Sequence, residues 1–323
     1  MEEAILFLLR NSGYSIIDYP DPNDDLIQKT SSGLKISGRG ACHQIDAIAD
    51  FFINPPFSNP TRLLAEAKCY SKNPVGIEIV RNAVGVLKDL NEFWVTRKSK
   101  IQTRPRFDYQ YTIFSASSFT KDAERYAYAQ NIHLVNLQNN KYLQHILDSI
   151  QNINSETFFS EKLSDYRMLI RDILRNKLND RDLLYTLEIA DITKFEDFIN
   201  SCRNLNASYI AMANWKFPIF LVPAPNLNLD NIKNKTKIQI FWDDNNWYIL
   251  NQLGQNLFSF NLPLELFKLY AEDEILTEKR AINLKEAVMS KIQIIIPTSE
   301  YEDEYRLINL ELDLNWLKAI KAR

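Results

Sequence analysis

The segment Leu63-Leu64-Ala65-Glu66-Ala67-Lys68-Cys69 is apolar except at two positions, and those two carry opposite charges. An apolar run of this length suits a strand, and its period of two places Glu66 and Lys68 on the same side, a few ångströms apart. Burying two charges without partners is costly, so the run predicts a covered strand whose end opens into a site with a chemical purpose. The bland alternative is a solvated ion pair, because Glu and Lys at i and i+2 are frequent on exposed strands. The apolar flanks favour the first reading.

Other periodic segments surround this one. Residues 3–10 read as a short helix, and 14–18, 34–37, 44–51 and 63–69 as strands of an antiparallel meander. Asn73 and Pro74 suit a helix start, and Ile77, Val80, Val84 and Leu87 recur as one buried helical stripe ending near Asn91. Residues 109–114 then read as a strand, Thr120 as the cap of a helix to about 130, and 132–137 as a strand, which implies a right-handed parallel crossover. Six of the seven glycines precede Asn91. From about 155 the pattern changes to helices at 161–178 and 194–205, strands at 209–213 and 217–222, and a hairpin joining 238–242 to 247–250 across Asp243, Asp244, Asn245 and Asn246.

With 323 residues the chain exceeds one typical hydrophobic core. We therefore expect two domains: 1–153, a mixed sheet flanked by helices, and 154–323, an α+β domain for target selection, assembly or partner binding. The three cysteines, Cys42, Cys69 and Cys202, form no CxxC pair, so neither a disulfide framework nor a cysteine zinc site is supported, and a reducing cytoplasm fits best. Residues 1–10 open with Glu2 and Glu3 instead of a basic region, and no apolar run approaches bilayer-spanning length, so neither secretion nor membrane contact is expected. No glycine-rich nucleotide loop occurs, so no nucleotide cofactor is expected.

The net charge of −3 gives no global signature of nucleic-acid binding. The first 155 residues carry 17 basic against 16 acidic side chains and the remainder 21 against 25, so any contact with phosphate is expected in the first half. Arg97, Lys98, Lys100, Arg104 and Arg106 form the densest basic run, with no acidic residue from 94 to 106. Such a loop suits a duplex backbone, where each neutralised phosphate releases counterions, or is simply solvated.

Asp46, on the strand before Glu66, can complete an oxygen-rich cage with Glu66 and the Ala67 backbone carbonyl for a hard cation such as Mg²⁺, with Mn²⁺ able to substitute. Phosphodiester hydrolysis needs such parts, because a nucleophile must be made from water while charge accumulates on phosphate. Lys68 would orient the water or stabilise the developing anion. Gln44 shares the face of Asp46 and serves either the site or the fold. His43, on the other face, suits an ordinary hydrogen bond better than a metal ligand. Glu78 and Arg81, one helical turn apart, reach either the site edge and DNA or each other. Lys72 is a phosphate contact or solvated. Trp215, Trp242, Trp247 and Tyr248 form a stacking surface or, more commonly, core.

Taken together, Gly38-Arg39-Gly40 before Ile45-Asp46-Ala47, Glu66-Ala67-Lys68-Cys69-Tyr70, Val75-Gly76-Ile77 and Ser118-Phe119-Thr120-Lys121-Asp122-Ala123 make residues 1–140 resemble the Mrr-like restriction endonucleases of the PD-(D/E)XK nuclease superfamily. The resemblance implies a mixed sheet flanked by helices, Asp46 and Glu66 as metal ligands, Lys68 as the catalytic lysine, and DNA hydrolysis. This chain departs from the pattern at Cys42-His43-Gln44, where such proteins often carry acidic residues or glycine, and at Glu66, where many have glutamine. The expected function is a Mg²⁺-dependent DNA endonuclease of restriction or anti-phage defence type, acting as a homodimer or with a defence-system partner. Its rivals are a repair or Holliday-junction-resolving nuclease and a non-cleaving DNA- or partner-binding protein with a nuclease fold.

Overall fold

The computed structural model describes residues 1–21, 24, 26–30, 33–53, 56–70, 73–92, 106–138, 140–153, 157, 170, 172–174, 192–205, 209–214, 216–243, 246–271, 276–298 and 305–322. Lys72, Arg97, Lys98, Lys100, Arg104, Trp215 and most of the expected helix 161–178 lie outside them. No helix among the described residues is long and apolar enough to cross a membrane. The chain divides into two compact units, Met1–Gln138 and Asn139–Arg323. The expected boundary at 153/154 falls after the helix Gln144–Asn152, which belongs to the second unit because it packs on Ile192–Asn204.

The first unit is an α/β structure around a five-stranded mixed sheet. In chain order it contains α1 (Glu2–Arg10), β1 (Tyr14–Ile16), β2 (Ile27–Thr30), β3 (Gly33–Ser37), β4 (Cys42–Ile45), β5 (Ala47–Phe51), β6 (Thr61–Lys68), α2 (Ile77–Asn91), β7 (Asp108–Ser115), α3 (Lys121–Gln130) and β8 (His133–Asn136). The sheet order is β1-β5-β6-β7-β8, antiparallel from β1 to β6 and parallel from β6 to β8. The two parallel pairings follow from α2 and α3, each a helical return between neighbouring strands.

The alternating pattern of each strand decides which face is covered. Ile48, Leu64, Tyr111 and Ile113 pack against Val80, Ala83 and Leu90 of α2 and against α3. Thr120 caps α3 as its composition suggested, its side chain accepting from the Ala123 N–H at 3.2 Å. The expected continuous strand 44–51 is instead two strands in two sheets. β4 belongs to a separate three-stranded sheet, β2-β3-β4, and β5 to the main one, with the break at Asp46. Nothing in the apolar pattern marks that break, because Ile45 and Ala47 keep the alternation on either side of Asp46.

Arg62 lies on the same face as Leu64 and Glu66 and is only 2% exposed. Its guanidinium donates to Asp24 Oδ2 at 2.6 Å and to Asp50 Oδ1 and Oδ2 at 2.7 and 2.9 Å, and stacks on the Phe107 ring. A buried charge is tolerated only with such partners; losing one of them typically costs about 3–5 kcal/mol. The network fastens a loop, β5 and the entry to β7 onto the central strand.

The second unit contains α4 (Gln144–Asn152), α5 (Ile192–Asn204), β9 (Tyr209–Ala213), β10 (Phe217–Pro223), β11 (Lys235–Asp243), β12 (Asn246–Asn251), β13 (Asn256–Phe260), α6 (Leu264–Tyr270), α7 (Glu278–Ala287), β14 (Lys291–Pro297), β15 (Tyr305–Leu312) and α8 (Leu314–Lys321). Its strands close into a barrel in the order β10-β13-β12-β11-β15-β14-β9. Ile238, Ile240, Ile249, Phe258, Ile294 and Leu310 are fully buried in its core. The α+β expectation for this half included the β11–β12 hairpin, with Trp242 paired to Trp247, but not closure of the barrel. Closure depends on β14 and β15, whose pairing with β9 and β11 joins residues distant in sequence. Trp247 is core, not a stacking surface.

Lys285 on α7 is 8% exposed, and its ammonium lies between the rings of Trp247 and Trp316, at 5.8 and 5.6 Å. Burial pushes its pKa down from 10.5 to about 8, against the pull of Glu278. The unfolded chain therefore holds a proton that the folded one has released between about pH 8 and 10.5, so stability rises with pH across that window. Lys285→Met should be more stable than the parent at pH 7, with the gap closing toward pH 10.5 in denaturant titrations. A gap independent of pH would contradict this environment for Lys285.

Candidate active site

Asp46 stands where the chain leaves one sheet and enters the other. The antiparallel register of β5 with β6 pairs Ala47 with Ala65, so Asp46, one step beyond, comes abreast of Glu66. Its Oδ2 accepts the Ala67 N–H at 2.8 Å. In an extended residue the N–H and C=O point to the same side, so the Ala67 carbonyl is directed toward β5 and Asp46 as well. The next residue obeys the alternation, with the Lys68 carbonyl accepting Ala116 N–H at 2.9 Å on the opposite side. Two carboxylates and a carbonyl thus gather at the edge of β6.

Glu66 is shared between two donors. Its Oε1 pairs with Lys68 Nζ at 2.5 Å, and its Oε2 accepts the Tyr111 O–H at 2.8 Å. Side chains of Glu66 and Lys68 retain 22% and 20% exposure, so the pair is open to a ligand without being freely solvated. Burial by itself would lower the Lys68 ammonium. The hydrogen bond and charge of Glu66, helped by Tyr70 and Asp46, outweigh that, and its pKa lies above the ordinary value. Lys68 is a persistent cation. Burial, the Glu66 charge and the hydrogen bond to Glu66 all push the Tyr111 phenol far above its usual range, so it stays a donor.

Tyr111 was not apparent in the sequence. The parallel β6–β7 register sets it opposite Leu64, on the face that carries Glu66, and this register is a property of the folded sheet. A second supporting set lies beyond Lys68. Ser117 Oγ donates to the Asn73 carbonyl at 2.8 Å, Val75 N–H donates to Ser118 O at 2.8 Å and Thr120 N–H to Val75 O at 3.0 Å. Two of the segments that carried the family resemblance are thereby fastened to each other.

The remaining sequence candidates divide. Gln44 is exposed on β4, opposite Lys35 and two residues before Asp46. His43 Nε2 contacts Asp89 Oδ2 at 2.8 Å, the ordinary hydrogen bond expected of it. Asp89 also accepts the N–H groups of Gly40 and Ala41, at 2.8 and 3.1 Å. Although burial works against it, these bonds hold the Asp89 carboxyl below its usual range. Glu78 lies over Gly76 at the start of α2, and Arg81 sits 6.0 Å from the Tyr126 ring. Arg106 precedes β7 at the Thr61 end of the sheet, and Thr61 is itself roughly 23 Å from Lys68 at 3.3 Å per strand residue. Arg106 thus stands at the end of the sheet away from Lys68, and the rest of the expected basic run lies outside the described residues.

Among the described residues no group of three or more His, Cys, Asp or Glu is arranged to hold a metal ion. Two carboxylates with one carbonyl do fit a hard cation such as Mg²⁺, which keeps several waters and uses one or two protein carboxylates together with substrate phosphate. They lack the His and Cys donors from which zinc sites are chiefly built.

No family model and no curated protein sequence matches the chain. Among solved structures it is similar to the protein of unknown function AF1548, at 15% identity and a TM-score of 0.37, over 63% of this chain and 96% of that one. It is also similar to the DNA modification-dependent restriction endonuclease AspBHI, at 17% identity and a TM-score of 0.24, over 43% of this chain and 28% of that one.

A hydrogen bond to a charged group contributes about 1.5–3 kcal/mol. Tyr111→Phe should therefore lose stability of about that size in urea unfolding while keeping its far-ultraviolet dichroism. An unchanged midpoint would mean that the phenol does not hold Glu66.

Proposed function

We propose that the first unit is a divalent-metal-dependent DNA endonuclease of the restriction or anti-phage defence type, with a restriction-endonuclease-like core. The observation that carries this reading is the convergence of Asp46, Glu66 and the Lys68 ammonium at the C-terminal end of β6, with the two carboxylates each braced by a protein donor. Asp46, Glu66 and the Ala67 carbonyl would hold Mg²⁺, or Mn²⁺ in its place. The ion supplies Lewis-acid stabilisation of a phosphodiester and lowers the pKa of water.

The protein's own groups do the positioning. Ala67 N–H and Tyr111 O–H fix the two carboxylates before substrate arrives, so little reorganisation is required when charge develops. Lys68, held protonated beside Glu66, offers an ammonium donor to a phosphate oxygen or to the attacking water. Three donors on that nitrogen allow one to remain on Glu66 while another turns to substrate. The second unit, with its closed barrel, is assigned to target selection, assembly or partner binding.

Incubation of the purified protein with methylated and unmethylated supercoiled plasmid should give nicking with Mg²⁺ and none with chelator. Asp46→Ala and Lys68→Ala should each lower the rate by at least about 10²-fold, the scale of removing one transition-state donor, while melting normally. Undiminished cutting by either variant would refute the assignment. Preferential cutting of four-way DNA would make it a resolving enzyme, and retained Mn²⁺ binding with no cutting of any DNA would make it a binding protein.

A further inference from the structure

The three-stranded sheet β2-β3-β4 has one face in the core and one outside it. Ile27, Ile36 and Ile45 are buried on the inner face. The registers Gln28↔Lys35 and Lys35↔Gln44 set these three side chains in one row across the outer face, with Ser37 and Cys42 beside them. Gln28 and Gln44 are exposed and Lys35 is half-buried. The strands β2, β3 and β4 contain no Asp or Glu. Among the described residues, Lys35 makes no ion pair and Gln28 makes no side-chain hydrogen bond.

The inner side of the same sheet is firmly tied down. Asp89 on α2 takes the N–H groups of Gly40 and Ala41 and contacts His43, and Arg39 pairs with Glu92 at 3.2 Å. A side chain added at Gly38 would collide with Asp89. The polar outer row is therefore presented on a rigid ledge, not on a flexible loop. Its last strand runs directly into Asp46. Two residues along β4 and one strand across put the Lys35 backbone roughly 9 Å from Asp46, or about two to three nucleotides of rise along one DNA strand.

We propose that the outer face of β2-β3-β4, carried by Lys35 and flanked by Gln28 and Gln44, grips the phosphate backbone of the DNA strand leading to the Asp46–Glu66 site. The inference rests on the nuclease reading and names a surface for its substrate. A compact ammonium and two amides on an acid-free face match the negative charge and acceptor oxygens of phosphate. Contacts of this kind position a duplex without reading its sequence.

The test is fluorescence anisotropy of a labelled 20-base-pair duplex, of order two helical turns, titrated with full-length protein in EDTA at several salt concentrations. Lys35→Ala should weaken binding roughly three- to tenfold for unrelated sequences and reduce the slope of log affinity against log salt by about 1. Lys35→Arg should restore both. Melting temperature and Mn²⁺ affinity should stay at parental values in both variants. A parent protein that binds no duplex and cuts no plasmid overturns the nuclease reading and this surface together. A parent that cuts plasmid, with Lys35→Ala equal to it in affinity and salt slope, overturns the surface alone.

Discussion

A single side-chain to backbone hydrogen bond, from Ala67 N–H to the Asp46 carboxylate, organises the candidate site of the first unit. It marks the point where one continuous extended segment is divided between two sheets, and it sets a charged group at the division. If the main chain ran on as one strand, Asp46 would be another alternating position. The break turns it toward β6 instead, and its carboxylate meets the edge that also carries Glu66 and Lys68. The buried Tyr111 completes the arrangement by occupying the Glu66 oxygen that Lys68 does not use.

The stability of this corner comes from elsewhere. Tight apolar packing of β5, β6 and β7 against α2 and α3 fixes the strands, and the Arg62 network clamps the opposite end of the same sheet face. The charged residues near the site are then free to satisfy chemistry, because the fold does not depend on them for its core. That division of labour is the usual one between rigid elements and the groups displayed at their ends. Asp89 plays a comparable part for the smaller sheet, with one carboxylate replacing the backbone partners that a tight β3–β4 connection lacks.

Local periodicity made much of this legible. The alternation in β6 put Glu66 and Lys68 on one side, and they are ion-paired; the stripe through Val80 made α2 a core helix, and it is one. What remained hidden depends on registers between distant strands. Tyr111 meets Glu66 only because β7 pairs with β6 in one parallel register, and Arg62 finds Asp24 and Asp50 only once the loop before β2 has folded over the sheet. The barrel was hidden for the same reason, since its closure joins β9 to β10 and β14, and β11 to β15. Arg106 shows what charge density alone leaves open, since strand direction sets it at the end of the sheet away from Lys68.

The central claim is that Asp46, Glu66 and the Ala67 carbonyl bind one divalent ion beside Lys68. Crystals grown with Mn²⁺ and measured at a wavelength chosen for manganese anomalous scattering test it most directly. The account predicts an anomalous peak bonded to both carboxylates and to that carbonyl. A well-ordered Asp46–Glu66 edge with no peak, and manganese bound elsewhere in the first unit, would contradict it.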